Sequence, residues 1–198
     1  MLIEENLQSV LNEIAKGNDR GERITLVGAT KTVPADVINL AITKGLTVVA
    51  ENKVQEFNLK HDHIIGAEQH FIGHLQTNKV KYIVGKVSLI HSADSLHIIE
   101  AISDCAVKKS VTQDVLLEVN IGKEPTKSGF LPEEVYDAYD KAKTLNGVRI
   151  AGLMAMLPKS DDEKLLAALC LQMRDFFDTI KQKDDNFKFL SMGMIEDF

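Results

Sequence analysis

From residue 24 onward the chain repeats a single pattern, a short apolar run followed by a stretch with helical spacing. The strand-like runs are 24–29, 47–50, 70–73, 88–91, 115–121, 148–156 and 187–192, so a β-α unit recurs seven times. Strict alternation of this kind leaves two architectures, a doubly wound open sheet or a closed (β/α)8 barrel of the TIM type. The first turn, Gly28-Ala29-Thr30-Lys31, has one glycine where a dinucleotide loop needs three. Gly122-Lys123 is followed by Glu124 instead of the Ser or Thr of a Walker loop. The α/β class with a barrel architecture is therefore favoured.

Punctuation between the runs supports the helices. Val33-Pro34-Ala35-Asp36 opens one, with proline suited to the first turn, and Gly45 closes it. Asp94 reads as an N-cap for Ser95-Leu96-His97-Ile98-Ile99, and Pro132-Glu133-Glu134 and Asp161-Asp162-Glu163 place acids at the positive end of two further helices. Ahead of the repeat, Leu7, Val10, Leu11 and Ile14 form the apolar stripe of an amphipathic helix over 2–15.

At 198 residues with 44% hydrophobic and 26% charged residues, the chain is expected to fold as a single domain over 1–198. No apolar run approaches the ~20 residues of a membrane span. The start, Met1-Leu2-Ile3-Glu4-Glu5, lacks the basic residues and apolar stretch of a signal peptide, so a cytoplasmic protein is expected. A net charge of −6 argues against a general nucleic-acid binder, and the basic patch Asn78-Lys79-Val80-Lys81 reads as a solvated helix face. Cys105 and Cys170 read as buried free thiols.

Barrel enzymes build their sites at the carboxyl ends of strands. In this chain those ends carry Lys31, Glu51-Asn52, His74, His91-Ser92, Asn120, Met154 to Met156 and Ser191 to Gly193. A lysine amine at a strand mouth can condense with an aldehyde. A Ser-x-Gly after the seventh strand falls where barrels commonly hold phosphate. Together these point to the chemistry of pyridoxal phosphate. His70 and His74 have a zinc-like i, i+4 spacing, but they bracket a strand end, so no metal site is expected. His61 and His63 read as solvated, and Met156, Met192 and Met194 as core.

Several strings carry a family resemblance. They are Thr30-Lys31-Thr32, Glu51-Asn52-Lys53-Val54-Gln55-Glu56, His70-Phe71-Ile72-Gly73-His74-Leu75-Gln76-Thr77-Asn78-Lys79, Asn120-Ile121-Gly122 with Lys127-Ser128-Gly129, Gly152-Leu153-Met154, and Ser191-Met192-Gly193-Met194. In order and spacing the chain resembles the pyridoxal phosphate homeostasis proteins, single-domain barrels similar to the N-terminal domain of alanine racemase. The resemblance implies that Lys31 forms a Schiff base with the aldehyde carbon of pyridoxal 5'-phosphate. It places Asn52 beside the ring, Met154 in the wall against which the ring packs, and Ser191 and Gly193 at the start of the phosphate loop. An amine with an ordinary pKa near ~10.4 is mostly protonated at neutral pH. Partial burial of Lys31 with a lowered pKa is therefore expected.

Two departures from the family pattern stand out. Ile195 replaces the second serine of the phosphate loop, which removes a hydroxyl donor. The chain also ends at Phe198, before the eighth strand and its Arg-x-Gly segment, so an incomplete barrel with an open seam is expected. The resemblance implies a cofactor carrier without substrate turnover, a monomer whose partners are pyridoxal phosphate and the apo-enzymes that use it, with no nucleic acid and no membrane. Two alternatives stay open: a racemase- or decarboxylase-like enzyme, and a shortened product that binds the cofactor weakly or not at all. The three tyrosines, Tyr82, Tyr136 and Tyr139, fall in helical stretches away from the strand ends, which argues against the enzyme.

Overall fold

The computed structural model describes residues 2–193 in two compact units, Met1–Gly73 and His74–Phe198. Met194 and Ile195, including the substituted position of the phosphate loop, lie outside the described residues, as does Phe198.

The first unit runs α1 (Leu2–Ile14), β1 (Val27–Ala29), α2 (Ala35–Thr43), β2 (Val48–Glu51), α3 (Val54–Lys60), a 3-10 turn (His61–His63) and β3 (Glu68–Phe71). Its strands are parallel and ordered β1-β2-β3, with Ala29 opposite Ala50 and Ala50 opposite His70. All of β2 is buried: Val48–Ala50 as an apolar run in a central strand, and Glu51 at its end as the partner of Lys60. β1 is shorter than the run at 24–29 because its ladder begins only where β2 does, at Val27 opposite Val48. The core gathers Ile38, Leu46 and Val49, with Leu7 of α1 and Leu26, Val33 and Ile42 packed against them. Gly45 closes α2 at a φ of 108°, which a side chain would resist.

The second unit runs from a 3-10 helix (Thr77–Tyr82) through β4 (Leu89–Ala93), α4 (Leu96–Lys108), β5 (Gln113–Glu118), α5 (Val135–Ala142), β6 (Val148–Met156), α6 (Glu163–Lys181) and β7 (Phe189–Gly193). These strands are also parallel and ordered β4-β5-β6-β7. In neither unit does the strand order reverse, so neither has the switch point of a doubly wound sheet.

Three local expectations need correction. The stretch between 74 and 88 forms the 3-10 helix instead of an α-helix. Its buried residues Val80 and Ile83 sit three apart, the period of that tighter helix, and Lys109 Nζ donates to the Lys81 and Val84 carbonyls at its end. The N-cap of α4 is Ser95, whose hydroxyl accepts from the Ile98 amide, while Asp94 accepts from Ser95. Cys105 and Cys170 are half-buried, since each lies at the margin of its helix's inner face. Asp162 caps α6 as expected, accepting from the Lys164 and Leu165 amides.

Among the described residues no helix is long and apolar enough to cross a membrane.

Candidate functional site

Lys31 occupies a tight turn at the end of β1. Thr30 bonds back to the Ala50 carbonyl, and the Val33 amide donates to Thr30 O at 3.1 Å, which leaves Lys31 and Thr32 as the two central residues. Thr32 has a φ of 63°. A β-branched residue pays roughly 1–3 kcal/mol for that conformation, where glycine would be at ease. Lys31 is exposed, so the expected partial burial is corrected: it stands at the tip of a two-residue turn.

The turn is braced from below. Lys60, on the last turn of α3, keeps 12% of its side chain exposed, and its ammonium meets Glu51 at 2.5 Å and Glu56 at 3.1 Å. The same nitrogen donates to Thr30 O at 2.8 Å and Val33 O at 3.3 Å, the carbonyls that flank Lys31 and Thr32. Glu56 also accepts from the Thr32 amide at 2.8 Å, and that bond, followed by the one from Lys60, holds its carboxyl below the usual carboxylate range. Burial pulls the Lys60 pKa down, but its hydrogen bonds to Glu51 and Glu56 outweigh it and leave the ammonium above its ordinary value. The sequence offered one signal for this brace, the i, i+4 pairing of Glu56 with Lys60 on a helix. Their role escaped sequence reasoning because it depends on how α3 packs.

Asn52 follows β2. Its amide oxygen is buried without a hydrogen-bond partner among the described residues, and a buried acceptor left unpaired is costly. Gly73 makes this placement possible, because a Cβ there would stand 1.9 Å from the Asn52 carbonyl oxygen. An orphaned acceptor at this position fits a ligand that brings its own donor. His61, expected to be solvated, is half-buried instead, stacked on Phe57 at 4.6 Å and bonded to Gln69.

In the second unit Met154 is buried among Leu89, Leu116 and Ala151. It lies opposite Ser191 across the β6-β7 ladder, and Gly193 lies opposite Met156. The Ser191 hydroxyl is 3.0 Å from His91 Nδ1. Gly193 is exposed, its carbonyl accepts from the Leu157 amide at 3.0 Å, and among the described residues the nearest atom an added Cβ would find is 3.9 Å away. Met192 is 42% exposed and does not belong to the core, since it alternates away from Ser191 along the strand.

Glu118, at the end of β5, received no functional expectation. Burial first, and then the Asp94 carboxylate, push its pKa up to about 7, opposed by His74, which pairs with Asp94 at 2.9 Å. Among the described residues no group of His, Cys, Asp and Glu could hold a metal ion.

Comparison with known proteins bears on the family and the fold. The family model for the N-terminal domain of alanine racemase matches residues 3–194. A pyridoxal phosphate homeostasis protein of Aquifex aeolicus is 41% identical over 98% of this chain and 88% of its own length. The crystal structure of an unknown protein from Bifidobacterium adolescentis superposes with a TM-score of 0.91 at 31% identity, covering 98% of this chain and 87% of that one. PipY of Synechococcus elongatus, solved with pyridoxal phosphate bound, superposes with a TM-score of 0.81 at 26% identity over 98% of this chain and 90% of its own. The α/β barrel class expected from the alternation is thereby established, with seven strands among the described residues.

Proposed function

Because the chain belongs to the pyridoxal phosphate homeostasis proteins, within the alanine racemase N-terminal domain family, we propose that it holds pyridoxal 5'-phosphate on Lys31 and serves the cell's supply of that cofactor. What carries the reading is Lys31 itself, an exposed amine at the tip of a turn braced by buried charge. The cofactor supplies an aldehyde carbon. The neutral Lys31 amine adds to that carbon, its two hydrogens leave with the aldehyde oxygen as water, and a carbon–nitrogen double bond remains. No oxidant or reductant is needed.

The remaining roles in this reading are those the family resemblance implies. The unpaired Asn52 amide oxygen accepts from the ligand, and Met154 offers an apolar wall. Ser191 and the open backbone at Gly193 donate to phosphate. Transfer to apo-enzymes, a cytoplasmic location and a monomeric state belong to the same reading.

Substrate turnover is not part of it. Opposed acid and base groups are needed for racemisation. Tyr139 donates its hydroxyl to Asp184 at 2.9 Å, and burial with that bond pushes its pKa up to about 12. Tyr136 packs edge-on against Phe176. The Tyr139 hydroxyl is thus engaged within the second unit, and Tyr136 stays 43% exposed on α5.

The test is reductive trapping. Adding pyridoxal phosphate, then borohydride, then mapping peptides by mass spectrometry should place the label on Lys31 and lose it in Lys31→Ala. No label at Lys31 overturns the carrier reading. Loss of α-deuterium from amino acids that depends on Lys31 would overturn the exclusion of turnover.

A further inference from the structure

We infer that Lys60 is a positioning residue for Lys31: its half-buried ammonium grips both shoulders of the strained Thr30–Val33 turn and so fixes where the Lys31 amine stands. The inference rests on the reading of Lys31 as the cofactor-bearing amine.

The geometry is specific. One nitrogen reaches the carbonyls of Thr30 and Val33, and the residues between them are Lys31 and Thr32 alone. Its third and fourth partners are the Glu51 and Glu56 carboxylates, and Glu56 in turn accepts from the amide of Thr32, the residue at a φ of 63°. Among the described residues, every polar contact of the Lys60 ammonium therefore ends on the turn or on a carboxylate that touches it, Glu51 through the Thr30 hydroxyl and Glu56 through the Thr32 amide. A surface ion pair would give no such convergence, and Glu51 keeps only 5% of its side chain exposed.

An unbraced Thr32 is expected to relax toward negative φ, the region that β-branched residues prefer. Such a flip rotates the neighbouring peptide and swings the Lys31 side chain away from the strand axis. The brace thus converts an exposed, rotatable side chain into one with a fixed root. Preorganisation of this kind raises the fraction of protein ready to bind, and with it the apparent affinity.

The experiment compares wild type, Lys60→Met, and the charge-balanced pair Glu51→Gln with Lys60→Met, which leaves no unpaired carboxylate at residue 51 if the single change fails to fold. Pyridoxal phosphate is titrated by absorbance, Lys31 labelling is quantified after borohydride, and exchange of the Thr32 amide is followed by NMR without cofactor. Both variants should lose about tenfold or more in half-saturation and exchange the Thr32 amide faster by a similar factor. Adding Thr32→Gly to either should recover most of the binding loss, because glycine accepts the positive φ without a brace. A merely structural role for Lys60 predicts lower thermal stability that glycine does not rescue. Half-saturation and Thr32 exchange equal to wild type, or a binding loss untouched by Thr32→Gly, overturn the positioning role while leaving Lys31 as carrier. A wild-type chain that takes no label at Lys31 overturns the reading beneath it as well.

Discussion

His91 Nδ1 lies 3.0 Å from the Ser191 hydroxyl, although the two residues stand 100 positions apart and belong to β4 and β7, with β5 and β6 between them. A flat sheet would set those strands roughly 14 Å apart, three strand spacings. The contact therefore requires the four strands of the second unit to curl toward one another. Curvature of this sign brings a buried imidazole to the strand end read as the phosphate side. An imidazole N–H donated to the Ser191 oxygen leaves the serine proton free for an anion.

Ser191→Ala should accordingly weaken pyridoxal phosphate by about tenfold, the worth of a hydrogen bond to a charged group, and leave unphosphorylated pyridoxal unaffected. His91→Leu should give a smaller loss with the same selectivity. Equal losses for both ligands in absorbance titrations would remove Ser191 from the phosphate site.

Glu118 provides a pH test. Its folded pKa of about 7 lies above the ordinary carboxyl value of 4.5, so the folded state keeps a proton that the unfolded chain has released. Stability therefore falls as pH rises from about 4.5 to about 7 and is fully reduced above that range, by roughly 3 kcal/mol at most. Glu118→Gln should thus be more stable than wild type at pH 8, and the difference should vanish near pH 4. Thermal unfolding across this range decides it, and a pH-independent difference would show that burial of Glu118 carries no ionisation penalty.

How much of this was legible in the sequence depends on the range of each interaction. The strands at β2 and β6 showed as apolar runs, and Asp162 showed as a cap, because both signals are local. The family strings drew attention to Lys31 and Asn52, which the structure sets just past the ends of β1 and β2. The contact of His91 with Ser191 was not, since it depends on sheet curvature, and Lys60 was hidden because its partners come from β2, α3 and the turn after β1. The exposure of Lys31 ran against expectation for a related reason: the turn is held from beneath, by Lys60 and Glu56.

Three glycines separate close approach from ligand access. A Cβ at Gly73 would stand 1.9 Å from the Asn52 carbonyl oxygen, and one at Gly152 would stand 1.8 Å from that of Phe189. Backbone cannot yield as a flexible side chain can, so Gly73→Ala and Gly152→Ala should each destabilise by ~3 kcal/mol or more in chemical denaturation. Gly193→Ala meets nothing closer than 3.9 Å and should leave stability within ~0.5 kcal/mol of wild type. A large loss of stability at Gly193 would mean that this stretch is packed and cannot serve as an open phosphate donor.

Met154 allows the wall and the core to be told apart. Its side chain is 4% exposed and touches Leu89, Leu116 and Ala151, so Met154→Ala should cost about 2–5 kcal/mol through lost burial and the cavity it leaves. Met154→Leu keeps the volume and should cost less than ~1.5 kcal/mol, yet its branched tip cannot follow a flat ring as the thioether does. If Met154 lines the cofactor ring, the leucine variant will bind pyridoxal phosphate more weakly while unfolding at nearly the wild-type denaturant concentration. If Met154 is only core, binding will follow stability in both variants, and the leucine protein will titrate as wild type does.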